Sequence, residues 1–292
     1  MESSQAESAA TDRDVVDVGH TRVSYTKTGT GPALLFVHGW PLNGHTWRNV
    51  ASQLDGFTRY VIDLPGAGHS PLTPQTPFHL HGLIDTVVSV IDTLGLDDVT
   101  LVGQDSGAMI CRFVAEKRPH AVSALVLSGT EIPGVHPPLV TMFKMLAKLP
   151  GARAMFRLSM GNKMFARSPL VLGGAMHDKS LLNGEFRTEM LDPVLADDAA
   201  IDAAVRLIKD WSNDDVDALA ETHRNLTMPT LLVWGEGDPF FPVGKARAMV
   251  DQFGGPVEFE TLADCKLLVH EEHPARLAGL IRDFVGRHRN FD

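Results

Sequence analysis

Residues 101–109 read LVGQDSGAM, an apolar run that breaks at Gly-Gln-Asp-Ser-Gly and resumes as a helix-forming stretch. A reactive side chain carried on a sharp strand-to-helix turn needs glycine two residues before it and two after. The strained turn leaves no room for a side chain at either place. Centring that frame on Asp105 puts Gly103 and Gly107 where they are required. Centring it on Ser106 puts Gln104 and Ala108 there, and Gln104 is too large. The residue presented by this turn is therefore expected to be Asp105, not Ser106.

Working outward, β-rich runs recur at ALLFVHG (33–39), RYVID (59–63), VTLVGQ (99–104), ALVLSG (124–129), TLLVWG (230–235) and VEFETL (257–262). Between and after them lie helical patterns such as LIDTVVSVIDTLG (83–95), AMICRFVAEKRP (108–119) and PARLAGLIRDFVGRH (274–288). Near-continuous apolar strands separated by helices predict an α/β fold with a mostly parallel sheet covered on both faces. Residues 135–223 break this rhythm. They hold no convincing strand and seven of the eleven methionines: Met142, Met145, Met155, Met160, Met164, Met176 and Met190. The expected organisation is a core of residues 15–134 and 224–292, a helical cap of residues 135–223, and a flexible tail of residues 1–14. The methionines read either as ordinary helix packing or, for some, as the lining of an adaptable apolar pocket.

A chain of 292 residues suits one large α/β domain with an insertion. Its formal charge of −10 and pI near 5.7 leave no basic stripe to neutralise phosphates, which argues against a nucleic-acid partner. No apolar run is long enough to span a bilayer. The first thirteen residues have no apolar core of the kind a signal peptide needs. Two cysteines, Cys111 and Cys265, make no disulfide framework, and no Cys/His cluster has zinc spacing. The expectation from composition is a cytoplasmic monomer or homodimer without metal; the further motifs at residues 38–41, 63–70, 131–134 and 234–242 add a small organic substrate and no cofactor.

Four further motifs join the turn at Asp105: HGWP (38–41), DLPGAGHS (63–70), EIPG (131–134) and WGEGDPFFP (234–242). Together they make the chain resemble the α/β-hydrolase superfamily, specifically its aspartate-nucleophile branch of haloalkane and haloacid dehalogenases and epoxide hydrolases. The resemblance covers nearly everything after residue 15, with Pro65 standing where the family usually has arginine. It implies that the Asp105 carboxylate attacks a saturated carbon and forms an alkyl ester. The backbone N–H groups of Trp40 and Ser106 would hold the second carboxylate oxygen and later the oxyanion formed when water attacks. His38 in this motif reads as a structural hydrogen-bonding residue. Asp238 occupies the usual place of the catalytic acid, and Glu131 the alternative place used by some dehalogenases.

The family's histidine segment has the form H-x4-E-x-P. Here DCKLLVHEEHP (264–274) places Glu272 and Pro274 in frame and puts Leu267 where the histidine belongs. Leucine neither accepts a proton nor polarises water. Three readings stay open: His270 replaces the base after a local rearrangement; Lys266, His45, His136 or His177 serves instead; or no base exists. Without a cation between them, Asp105 and Asp238 at roughly 6 Å would repel by about 3 kcal/mol.

The substrate class is less constrained. Epoxide hydrolases of this branch use cap tyrosines as proton donors, whereas this chain has only Tyr25 and Tyr60, both ahead of the cap. Trp211, in IKDWSND (208–214), stands at the place of one of them. Its indole N–H binds halide but is no practical acid. Against carbon–halogen cleavage, the residue after Asp105 is Ser106, where haloalkane dehalogenases usually carry tryptophan. Trp40 and Trp47 remain possible N–H donors. A lyase or isomerase, or a binding protein that keeps the pocket without turnover, is the alternative reading.

Overall fold

A computed structural model describes residues 13–288. Eight strands form one sheet: β1 (Arg13–Asp17), β2 (Arg22–Thr28), β3 (Ala33–Val37), β4 (Thr58–Ile62), β5 (Val99–Gln104), β6 (Val122–Ser128), β7 (Thr230–Gly235) and β8 (Val257–Leu262). Their order is β1-β2-β4-β3-β5-β6-β7-β8. β1 and β2 pair antiparallel, as do β2 and β4, and every other pairing is parallel. The six strands read from sequence are β3 to β8, with ends shifted by at most two residues. The β1–β2 hairpin was not among them. The tail expected over residues 1–14 overlaps the structure only at Arg13 and Asp14, which begin β1; the rest lies outside the described residues.

The central strands are apolar along their length because both faces are covered. Leu34, Phe36, Val102, Val126, Leu231 and Val233 form one core with Trp47, Leu277, Ile281 and Phe284. Leu35, Val37, Leu101, Leu125, Leu127 and Leu232 face the other way, into a core shared with Ile84, Val87, Met109 and Leu219. The helices that cover these faces are α1 (Arg48–Ala51), α2 (Leu80–Leu94), α3 (Ser106–Lys117), α10 (Val243–Met249), α11 (Val269–Glu272) and α12 (Pro274–His288). Between β6 and β7 the chain makes α4 (Pro138–Ala147), α5 (Ala152–Gly161), α6 (Lys163–Ala166), α7 (Asp192–Ala196), α8 (Asp198–Asp210) and α9 (Asn213–Asn225), with no strand. Among the described residues no helix is long and apolar enough to cross a membrane.

The loops after β3, β5, β6, β7 and β8 leave the carboxyl end of the sheet. There β3 and β5 are neighbours, while β4 lies on the far side of β3. Such a reversal opens a crevice beyond the strand ends, where ligands bind in open α/β sheets. Asp105 stands there.

Candidate active site

The turn at Asp105 has the geometry its glycines demand. Asp105 itself holds φ 51° and ψ −133°, a conformation an L-residue keeps only when its surroundings impose it. A Cβ on Gly103 would stand 2.7 Å from Ala108 Cα, and one on Gly107 would stand 2.4 Å from the His38 carbonyl oxygen. Gly39 is equally tight, since a Cβ there would lie 2.9 Å from Asp105 Oδ2. The backbone N–H and the hydroxyl of Ser106 lie near the Asp105 carboxyl and favour its charged form. The Trp40 N–H donates to Ser106 Oγ at 2.9 Å. Of the expected pair of backbone donors, the Trp40 N–H is engaged by the Ser106 hydroxyl, and the Ser106 N–H lies beside the carboxyl.

Asp105 lines a cavity of about 110 Å³ whose walls are mostly apolar, including Trp40, Phe143, Met160, Trp211, Phe241 and Leu267. Ser106 and Glu131 line it too. Burial pushes the Asp105 carboxyl well above its ordinary value, with the nearby Glu131 and then Asp238 adding repulsion. Desolvation outweighs charge repulsion, and the larger repulsion comes from Glu131, not Asp238.

Asp238 follows β7, on a loop that Trp234 pins by donating its indole N–H to the Phe241 carbonyl at 2.8 Å. Its Oδ1 accepts from the N–H groups of Phe240 and Phe241 at 2.8 and 3.0 Å. Its Oδ2 is buried and has no hydrogen-bond partner among the described residues. Burial raises this carboxyl to about 7 despite those amides. Leu267 lies alongside: a Cβ on Gly129 would sit 3.0 Å from Leu267 Cδ1 and 3.5 Å from Asp238 Oδ2. Glu272 fixes the register, accepting from Lys266 N–H at 2.8 Å and from the N–H groups of His177 and Asp178 at 2.6 and 2.9 Å. Leu267 thus faces the cavity beside the unpartnered oxygen of Asp238.

His270 is elsewhere. It is fully buried, its ring packed on Trp47 with centroids 4.7 Å apart, and it is absent from the cavity wall. Thr46 donates its hydroxyl to Glu271 Oε1 at 2.7 Å and accepts from His270 Nε2–H at 2.7 Å. Burial lowers this imidazole to about 3, so it is neutral. The rearrangement that would bring His270 to the site has not occurred, because the short helix α11 turns it into the opposite core. Of the other candidates, His45 pairs with Glu185 at 3.3 Å and His177 lies 3.9 Å from Asp264, both outside the cavity. His136 lines the cavity rim but pairs with Asp217 at 3.3 Å. The side chain of Lys266 runs past Gly237 and lowers the Asp238 carboxyl only weakly.

His38 is held by its neighbours, with Nε2 accepting from Leu64 N–H at 2.9 Å and Nδ1 donating to the Gly39 carbonyl at 3.1 Å. Burial lowers it as well. Trp40 gives its indole N–H to the Ala204 carbonyl at 2.9 Å, and Trp47 lies in the far core. Neither offers that N–H to the cavity. Trp211 lines the cavity and makes no hydrogen bond among the described residues. Met160 is on the wall, Met176 and Met190 are fully buried core, and Met145 and Met164 are exposed.

One functional group escaped the sequence reading. Arg112, fully buried on α3, donates to Thr130 Oγ1 at 2.7 Å and to the Glu131 carbonyl at 2.9 Å. It also reaches His223 Nε2 at 3.1 Å, and its Nη2 lies 3.7 Å from Glu131 Oε2. Burial lowers it to about 10, so it stays charged at neutral pH. The signal was an arginine inside the apolar run AMICRFVA (108–115). Among the described residues, no cluster of three His, Cys, Asp or Glu side chains is placed to hold a metal ion.

A sequence profile of the alpha/beta hydrolase fold matches residues 32–274. The chain belongs to the α/β-hydrolase fold family. It is 26% identical over 275 residues to a pimeloyl-[acyl-carrier protein] methyl ester esterase of Aeromonas salmonicida (strain A449), spanning 90% of this chain and 99% of that one. Among solved structures, an epoxide hydrolase CorEH superposes with a TM-score of 0.81 at 21% identity, covering 95% of this chain and 99% of that one. Haloalkane dehalogenase DbeA from Bradyrhizobium elkani USDA94 gives 0.80 at 21% identity, covering 95% and 98%. Likeness at that identity is likeness of fold. One fold hosts many functions, so function follows from the site itself.

Proposed function

We propose that this chain is a cofactor-free enzyme whose Asp105 carboxylate attacks a saturated carbon of a small apolar compound. With a haloalkane the carbon–halogen bond opposite breaks and halide leaves; with an epoxide the ring carbon–oxygen bond breaks and the tethered alkoxide takes a proton from water; either way an alkyl ester forms on Asp105. The observation that carries this reading is an aspartate at the apex of a strained strand–helix turn, facing an apolar cavity. Asp105 must be ionised to attack, and burial opposes ionisation. The alkylation rate therefore rises with pH. Trp211 lines the same cavity, and its indole N–H is the donor we assign to a departing halide.

Ester breakdown is the weak step. Leu267 fills the place of the water-activating base, and Asp238 keeps an unpartnered oxygen that would otherwise orient it. Turnover after alkylation is accordingly slow. The test is incubation with a panel of haloalkanes, haloacids and epoxides, reading intact mass, halide and diol. A covalent adduct mapping to Asp105, absent in Asp105→Asn and forming faster at higher pH, supports the reading. No adduct and no product release across the panel overturns it.

A second reading rests on the carboxyls themselves. Asp105 and Glu131 line one cavity, and burial raises both. Two carboxyls that hold or share protons suit proton transfer in a lyase or isomerase. Solvent-deuterium uptake into recovered substrate, without an adduct, distinguishes this chemistry from alkylation.

A further inference from the structure

Between Glu131 and Asp178 the chain has no acidic residue and six basic ones: Lys144, Lys148, Arg153, Arg157, Lys163 and Arg167. The rest of the molecule carries −16, so this segment is a cationic island on an acidic protein. It is also where apolar side chains meet solvent. Of nine large hydrophobic residues exposed among those described, seven lie between Met145 and Leu170. Met164 is 77% exposed, Met145 66% and Leu158 63%. Such clustering is unlike the scattered exposure of an ordinary surface.

The patch also has a defined relation to the interior. A second cavity of about 230 Å³ is walled by Met142, Leu146, Phe156, Phe165 and Leu170, among others from the same segment. It shares Trp40, Phe143, Met160, Val171 and Ile208 with the wall of the Asp105 cavity. Arg153 and Arg157 are neutralised by Asp198 and Asp202 on α8. Lys148 and Lys163 form no ion pair among the described residues, and both stand beside the exposed apolar side chains.

We propose that the α4–α6 face docks on an anionic lipid surface, with Leu149, Leu158, Met164 and Phe165 entering the acyl boundary and Lys148 and Lys163 meeting the headgroups. Apolar side chains framed by cations on short helices fit that occupant, because burial of apolar area and attraction to anionic headgroups add. The bulk of the acidic protein is repelled by the same surface, which orients the molecule with this face down. The second cavity then opens toward the lipid phase. This proposal does not depend on the chemistry assigned to Asp105.

Flotation with vesicles tests it, using phosphatidylcholine alone and phosphatidylcholine with an equal part of phosphatidylglycerol. The full chain is expected to float with the anionic vesicles, and salt is expected to release it. Leu158→Asp combined with Phe165→Asp, both at exposed positions, should abolish flotation, whereas Leu72→Asp, an exposed apolar residue elsewhere, should not. Lys148→Glu with Lys163→Glu should abolish the preference for phosphatidylglycerol. Thermal melts of each variant establish that it is folded. Failure of the wild-type chain to float with either vesicle overturns the proposal. So does a wild-type dimer that the Leu158→Asp and Phe165→Asp changes convert to monomer, because the face is then covered by a second copy.

Discussion

Asp238 is a buried carboxyl with one oxygen satisfied and one without a partner, and its cost depends on pH. In the unfolded chain it ionises near 3.8, and in the fold at about 7. Between those values the folded protein holds a proton that the unfolded chain has released, so stability falls as pH rises through that window and is level above it. The full effect is on the order of 4 kcal/mol. Asp238→Asn retains an oxygen for the Phe240 and Phe241 amides and removes the titration. Its denaturation midpoint should exceed that of the wild type at about pH 8 and match it near pH 4. A difference that does not change with pH would contradict this. The placement of these residues was legible in sequence, Asp105 from its glycine spacing and Asp238, Glu131 and Leu267 from the family resemblance, and the fold brings them together at one end of the sheet. Their protonation was not, because desolvation depends on which apolar side chains close the cavity.

At the scale of elements, the turn after β5 couples two segments through van der Waals exclusion. A methyl group on Gly107 would press on the backbone oxygens of His38 at 2.4 Å and Val37 at 2.5 Å. Neither is a flexible side-chain end that can move aside. Gly107→Ala should therefore cost about 1–3 kcal/mol and, by displacing the Trp40 loop, slow alkylation as well. Gly279, on α12, has nothing within 4 Å of its would-be Cβ, and Gly279→Ala should be neutral or stabilising by up to about 1 kcal/mol. Paired chemical denaturation curves check both. Spacing in the sequence anticipated this turn because steric exclusion at a glycine is local. The β1–β2 hairpin was missed because β1 is an edge strand whose residues are mostly exposed, so no continuous apolar run marks it. The orientation of His270 was likewise hidden. One short helix decides which core receives it, and sequence distance from Leu267 carries no such information.

Across the whole molecule, Arg112 ties together pieces far apart in sequence: α3, the loop after β6 with Thr130 and Glu131, and His223 on α9. His223 in turn bonds Gln252 Oε1 at 3.0 Å. With Nδ1 donating to Gln252 and Nε2 accepting from Arg112, His223 is neutral, and burial and the guanidinium lower it to about 3. Removing the cation leaves Glu131 buried without its counter-charge, so Arg112→Met should cost about 3–5 kcal/mol. It should also shift the pH dependence of alkylation downward, because Glu131 without the guanidinium is more readily protonated and then repels Asp105 less. A loss of stability with an unchanged pH profile would confine Arg112 to a packing role. A buried arginine in an apolar helix announces itself in sequence, but its partners, more than a hundred residues away at His223, do not.

The central proposal is that Asp105 acts as a nucleophile and that Leu267 stands where a base for ester hydrolysis would be. Leu267→His places an imidazole beside the free Oδ2 of Asp238, within reach of an ester on Asp105. The direct measurement is decay of a preformed Asp105 adduct, followed by intact mass, in the wild type and in Leu267→His. The account predicts a persistent adduct in the wild type and decay faster by about 10²–10⁴-fold in the variant. Equal decay rates would contradict it, because they would mean that the water is activated from somewhere other than the position Leu267 occupies.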